Sequence, residues 1–340
     1  MKVKSLLNLT ITAVFVVSLL ISGCKNESVL PETENKDDQS PDETIVEVQD
    51  ENDLEGVDEE NDAPAEVPDD GTEEMVDDPE ENDVDEVPDD PFTPSDEPCT
   101  VLFGRPSEDT GLGPDMCQPL CNCEGKFFEP PVYTKEMVDK FSGKILKNPP
   151  DPLTSDPYDK PDDNVPQHDK FCGVILDSDD PEYYSLATYD TLEELEADGA
   201  ILTHYGACGL CSPLNNLAVY ILVGDLTGPV RQCGLDNVIG GSKEKNIECL
   251  MKLGFDYPCA QIWYYNTSHT RGKCWAPCMA ALNQPYHKPD GSLNDCIQCD
   301  EDNSGDVFKA VAGRTRRNTG LPAALCRPCY EALPVFHFYD

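Results

Sequence analysis

The sequence predicts an α-rich fold, mainly helical with a few short strands, in a single disulfide-rich domain that follows a long disordered acidic region. Three observations predict it. Sixteen of the 17 cysteines lie from Cys99 onward. The stretch before them is almost purely acidic. Beyond Phe171, capping residues and glycine stops recur at helix spacing.

The N-terminus comes first. Lys2 and Lys4 precede an apolar run from Leu6 to Ile21, which closes on Leu20-Ile21-Ser22-Gly23-Cys24. Charge, apolar stretch and small residues are the three parts of a secretory signal, here residues 1–23. The run is short for a spanning helix, which needs about 20 residues. Its ending resembles the bacterial lipobox. That resemblance implies a diacylglyceryl thioether on Cys24 as the new N-terminus, and an export route to the cell envelope. Several acyl chains hold firmly where one is marginal. Lys25, in place of an Asp retention signal, points to the outer membrane or cell surface rather than the inner membrane.

Residues 24–98 read as a tether. Positions 25–98 hold 32 Asp and Glu against two Lys, out of a net charge of −43 for the chain. Such a segment buries too little apolar surface to offset its ordering entropy and is expected to be disordered. A flexible chain of this length spans roughly 50 Å, with an extended limit of about 240 Å. The acidity argues against nucleic acid as a partner, because counterion release needs clustered cations facing phosphate.

Residues 99–170 are rich in Pro, Asp and Gly and carry Cys117, Cys121 and Cys123 close together. They read as an irregular, stapled subregion with one helix near Thr134 to Leu146. Residues 171–340 read as a helical cysteine-rich domain. Thr191 caps Leu192 to Asp198, with Gly199 as the stop. Ala200 to Tyr205 is partly β-like. Ser212-Pro213 opens a helix through Leu222. Ser242 caps a segment to Leu253, stopped by Gly254. Asp256 precedes a helix from about Pro258 to Thr267. Two more are expected around Val307 to Arg317 and Leu321 to Leu333.

An even set of cysteines in an oxidising compartment reads as disulfides. Cys99, Cys117, Cys121, Cys123, Cys172, Cys233, Cys249, Cys259, Cys274 and Cys278 are assigned as structural half-cystines, with the pairing left open. Cys274-x-x-x-Cys278 sets two thiols on one helix face, suited to two bridges.

The remaining cysteines carry sharper alternatives. His204-Tyr-Gly-Ala-Cys208-Gly-Leu-Cys211-Ser212 sits between a strand-like stretch and a helix start. A thiolate at a helix N-terminus is stabilised there, so Cys208 and Cys211, with His204 as base, are candidate catalytic residues. Gly206-Ala-Cys208-Gly-Leu-Cys211 is similar to the nucleophile turn of papain-like proteases. It departs in having Tyr205 for Gln and Ser212 for Trp, and the chain lacks the β-rich half that family needs. The strand, Cys-x-x-Cys, helix order also resembles thioredoxin-like proteins, without their later strands. Cys296-x-x-Cys299 and Cys326-x-x-Cys329 have the form of paired zinc knuckles. Asp300-Glu-Asp302-Asn-Ser304-Gly305-Asp306 starts like a calcium loop, but Val311 stands where the closing Glu belongs. Asp306 is read as a cap for the helix that follows. No cofactor is predicted, with zinc or calcium held as alternatives. Arg314, Arg316 and Arg317 form the one dense basic cluster, a candidate anion site. The run Trp263-Tyr264-Tyr265 reads as core.

His204-Tyr-Gly-Ala-Cys-Gly-Leu-Cys-Ser, Leu217-Ala-Val-Tyr, Cys259-Ala-Gln-Ile-Trp and Ala312-Gly-Arg-Thr-Arg-Arg-Asn-Thr-Gly together look like a group of uncharacterised secreted cysteine-rich proteins, over about 200–340. The resemblance implies one domain and carries no activity. The leading expectation is a membrane-anchored lipoprotein displaying a disulfide-stabilised binding domain, whose partner is a protein or an anionic ligand. The alternatives are an extracytoplasmic thiol enzyme and a metal-binding lipoprotein.

Overall fold

Strands with buried faces and helices with capped ends build the distal region around one main core. The computed structural model describes residues 95–236 and 241–339. The signal, Cys24 and the tether up to residue 94 lie outside the described residues.

The first part is small-sheet structure. β1 (Leu102–Phe103) pairs in parallel with β2 (Cys117–Gln118). β3 (Cys121–Cys123) and β4 (Lys126–Phe128) form a hairpin. Its two-residue turn, Glu124-Gly125, has both φ angles positive, at 54° and 70°. That backbone matches the twist of the flanking strands, and glycine accepts it without strain. α1 (Lys135–Ser142) is capped by the Thr134 hydroxyl, which accepts from Met137 N, and buries Val138 and Phe141. It is shorter than the span to Leu146, because β5 (Ile145–Leu146) leaves to join a sheet.

That sheet is the main departure from the expected helical region. It runs β5-β7-β6-β8, with β6 at Phe171–Leu176, β7 at Tyr183–Tyr189 and β8 at Ile201–Tyr205. β6 and β7 are an antiparallel hairpin, and β8 pairs antiparallel with β6 across a bulge at Cys172/Gly173. The six-residue run Phe-Cys-Gly-Val-Ile-Leu is the length of a buried strand and too short for a core helix. Between β7 and β8, α2 (Leu192–Ala197) is capped by Thr191, which accepts from Glu194 N. Gly199, at φ 68°, ends that turn.

The helical part follows. α3 (Leu214–Leu222) buries six of its nine residues and lies at the centre of the core. α4 (Thr227–Asp236) was not among the expected helices. α5 (Lys243–Lys252) starts at its Ser242 cap and ends before Gly254, whose φ is 108°. α6 (Tyr257–Ala280) runs 24 residues, well past Thr267. Its kink at Cys274 has a local cause: Pro277 lacks an N–H, and its ring crowds the carbonyl one turn back. α7 (Asp295–Ala312) is capped by Asn294 and closed by Gly313 at φ 70°. It therefore begins twelve residues before the expected Val307 and absorbs the acidic stretch 300–306, so Asp306 lies inside the helix and caps nothing. The expected helix over 321–333 is absent. β9 (Arg327–Pro328) and a short 3₁₀ turn, Cys329–Glu331, occupy it instead, with β9 antiparallel to β1. Pro322 and Pro328 break helical continuity there.

Helix holds 39 % of the described residues and strand 14 %, so the fold combines several helices with a real sheet. All sixteen distal cysteines are paired, in eight bridges. Two of these, Cys117–Cys326 and Cys121–Cys329, close loops of more than 200 residues and tie the early strands to the C-terminal segment. Cys99–Cys123 staples the first hairpin, and Cys233–Cys249 joins α4 to α5. Cys274–Cys299 and Cys278–Cys296 rivet α6 to α7 as an antiparallel pair. The same-face spacing of Cys274 and Cys278 thus serves two bridges, both to one neighbouring helix. No helix among the described residues is long and apolar enough to cross a membrane.

Candidate functional site

Three helix stripes face one another across a groove of about 350 Å3. α4 contributes Val230, Arg231 and Leu235. α6 contributes Trp263, Thr267, Thr270, Arg271, Trp275 and Met279. α7 contributes Ile297, Asp300, Glu301 and Phe308, and the segment after it supplies Arg316, Arg317 and Arg327. Within each helix these positions recur every three or four residues, so one face of each is turned to the groove.

The lining is largely apolar, with two kinds of polar group. One kind is paired. Glu301 accepts from Arg327 at 2.6 Å and lies 3.5 Å from Lys309, and these cations hold its carboxyl below the usual range against the cost of burial. Arg317 pairs with Glu331 at the edge. Asp300 accepts from Thr270 and, at 3.4 Å, from Asn266; burial pushes its carboxyl up. The other kind forms no ion pair. Among the described residues, Arg231, Arg271 and Arg316 form no ion pair. Arg231 lies 5.9 Å from the Tyr286 ring centre. Arg316 donates Nη2 to Val223 O and sits 6.0 Å from the Tyr220 ring centre. Burial lowers its pKa to about 10, with Tyr220 and Asp225 opposing that shift. Of seven arginines in the chain, five line this groove.

The three-arginine cluster is therefore divided by the fold. Arg316 faces the groove and Arg317 edges it, but Arg314 is fully buried. Its guanidinium donates to Cys211 O, Thr203 O, Thr203 Oγ1, Ser212 O and Thr319 Oγ1. Every N–H is used on a neutral protein acceptor, and desolvation brings its pKa down to about 10. Arg314 is a structural tie, and this corrects its assignment to an anion site.

The thiol assignment also needs correction. Cys208 is bonded to Cys172 and Cys211 to Cys259. Neither offers a thiolate, and the Cys-x-x-Cys pair is not a redox couple with itself. His204 is wholly buried with Ser212. Its Nδ1 faces Tyr205 O at 2.9 Å, so Nδ1 carries the hydrogen and Nε2 accepts from the Ser212 hydroxyl at 2.7 Å. Ser212 Oγ in turn accepts from Gly209 N at 2.8 Å. The chain of bonds is complete and sealed from solvent, and burial holds the imidazole neutral, far below its ordinary pKa. This is a turn-locking network with no access for a substrate.

The zinc grouping is split four ways: Cys296 pairs with Cys278, Cys299 with Cys274, Cys326 with Cys117 and Cys329 with Cys121. The sulfurs of Cys99, Cys123 and Cys329 lie within 4.8 Å of one another, but all three belong to bridges. The stretch that starts like a calcium loop is helical here. Asp300 and Asp302 are two residues apart on α7, hence about 200° apart around its axis. Asp300 turns to Thr270, while Asp302 accepts from Gln298 on the exposed face.

Reading the sequence for motifs missed Arg231, Arg271, Trp275 and Phe308. For Arg271 and Trp275 the signal is the stripe 263, 267, 270, 271, 275, 279 in one continuous helix, hidden by ending that helix at Thr267; Arg231 and Phe308 lie on other helices and had no such signal. Trp263, read as core, packs 4.6 Å from Phe308 and faces both core and groove.

Residues 243–335 match a family of unknown function (DUF8771). The segment includes α5, α6, α7 and the arginines that follow, and its similarity fits an uncharacterised cysteine-rich family. No curated protein and no solved structure matches the chain.

Proposed function

We propose that the chain is an extracytoplasmic lipoprotein, anchored through Cys24, that displays a disulfide-stabilised binding domain whose ligand site is the arginine-lined groove. One observation carries the binding reading: in a chain of net charge −43, five of seven arginines converge on one apolar groove, and three of them have no ion-pair partner. One of the three, Arg316, is also desolvated by burial; a buried cation without an ion pair costs stability, which is what a site kept for an anionic ligand or an acidic protein surface entails. Sixteen cysteines in bridges support an oxidising compartment. The acidic tether then serves as a spacer between membrane and domain, and nucleic acid is not a partner.

Fractionation tests the anchor. The native chain expressed in a lipoprotein-processing host is expected in the membrane pellet and in the detergent phase on partition. The Cys24→Ala variant is expected in the soluble fraction. A variant that stays with the membrane would sink lipidation at Cys24.

A further inference from the structure

The groove has two properties that restrict what it can hold. Its floor is aromatic: Tyr220, Trp263 and Phe308 line it, with Trp263 and Phe308 in contact at 4.6 Å. The Nε1–H of Trp263 is buried without a well-formed hydrogen bond, beside the Tyr220 ring system. Arg316 also lies by Tyr220, 6.0 Å from its ring centre. Its Nη2 is held by Val223 O, which leaves Nε and Nη1 without an acceptor among the described residues. Asp225 is the nearest acid to act on it, but lies beyond ion-pair distance and already accepts from Tyr286 and Ser107.

We propose that the groove binds a small amphipathic monoanion, a molecule with an apolar body and one carboxylate head, with the head at Arg316 and the body against Trp263 and Phe308. This rests on reading the domain as a binding module and names its ligand chemistry. The volume of about 350 Å3 lies in the range of small-molecule sites. The single negative charge follows from the walls. Arg317 and Arg327 are committed to Glu331 and Glu301, so one carboxylate matches Arg316, the groove arginine that has no ion pair and that burial desolvates. The apolar body follows from the aromatic floor, which gains by burial against an uncharged surface. A bulky polar ligand such as a sugar would leave its hydroxyls unpaired there.

The chain has only two tryptophans, and both line the groove, so intrinsic emission reports on this site. The full chain carrying Cys24→Ala, free of lipid and detergent, is titrated with decanoate, decanol and acetate below micelle concentrations. Decanoate is expected to shift tryptophan emission saturably. Decanol, with the same body and no charge, is expected to bind at least about tenfold more weakly, the worth of one charge-assisted hydrogen bond. Acetate, a head without a body, is expected to leave emission unchanged. Arg316→Gln is expected to bring decanoate down to the decanol affinity, and Arg316→Lys to keep a preference for decanoate. Equal binding of decanoate and decanol by the unsubstituted groove would overturn the head-group assignment while leaving a binding module in place. So would a preference that survives in folded Arg316→Gln. No saturable response to either long-chain probe would overturn the apolar-body assignment. None of these outcomes bears on the Cys24 anchor, which fractionation decides separately.

Discussion

Arg314 grips Thr203 with two nitrogens: Nη1 donates to the Thr203 carbonyl at 3.0 Å and Nη2 to its hydroxyl at 2.7 Å. That hydroxyl lies 2.8 Å from the Tyr339 hydroxyl, which lies 2.9 Å from His337 Nδ1; His337 Nε2 then donates to Thr319 O at 2.9 Å. One buried guanidinium thus organises β8, the turn before α3 and the C-terminus. Replacing Arg314 by Met should leave at least three buried oxygens without donors. A loss of roughly 3–5 kcal/mol is expected, read by denaturant unfolding. Arg314→Lys should fall nearly as far, because one ammonium cannot reach five acceptors.

The buried histidines predict acid sensitivity. His204, His287 and His337 each give one ring N–H to a carbonyl and use the other nitrogen as an acceptor. Burial lowers the pKa of all three below 6.5, that of His337 to about 3. The unfolded chain therefore takes up protons first. The stabilisation is fully present above about pH 6.5 and is lost as pH falls through the folded-state values. Each histidine adds a slope of up to about 1.4 kcal/mol per pH unit. Unfolding free energies measured from pH 7.5 to 5 should decline over a range where most carboxylates remain ionised. A flat profile would contradict the neutral, acceptor role.

Gly209 and Gly313 meet backbone to backbone. A Cβ on Gly209 would come 2.5 Å from Val311 O and 2.7 Å from Gly313 N, atoms that cannot swing away. Gly209→Ala is expected to cost on the order of 2–3 kcal/mol. Gly224→Ala, where nothing lies within 4 Å and φ is ordinary, should change stability by less than about 1 kcal/mol. Parallel thermal melts of the two variants check the contrast.

Each of the two long bridges should stabilise more than any one of the shorter ones. Converting Cys117 and Cys326 together to Ser is expected to cost about 2–5 kcal/mol, since a closed loop of this length strongly restricts the unfolded chain. Alkylation of the denatured, unreduced protein followed by intact-mass measurement should find no free thiol among the sixteen distal cysteines. A reactive Cys211 in that experiment would revive the thiol chemistry that its bond to Cys259 excludes.

Legibility followed locality. Thr134, Thr191, Ser242 and Asp256 cap the helices that follow them, because a cap is a contact between a side chain and a backbone N–H a few residues on. Gly199 and Gly254 stop helices for the equally local reason that they adopt positive φ. The strands β6 and β7 were missed although their composition suits them, since a short apolar run is ambiguous until its partner is known. The span 321–333 shows the converse: its apolar spacing looks helical, but pairing of β9 with β1 and two bridges hold it extended.

The sequence alone determined that the distal cysteines are an even set, ten of them read as half-cystines, where several helices begin and stop, and that charge is concentrated before Cys99. Each follows from composition or from interactions within a few residues. Only the tertiary structure decided which cysteine meets which, that Arg314 is a core tie while Arg316 faces a groove, and that Arg231 and Arg271 join it from other helices. Arg314 and Arg316 are two residues apart in sequence, yet one is sealed among carbonyls and the other lies beside Tyr220. What separates them is the packing of β8, α3 and the C-terminus around the first. Such long-range contacts leave no mark in the spacing of residues along the chain.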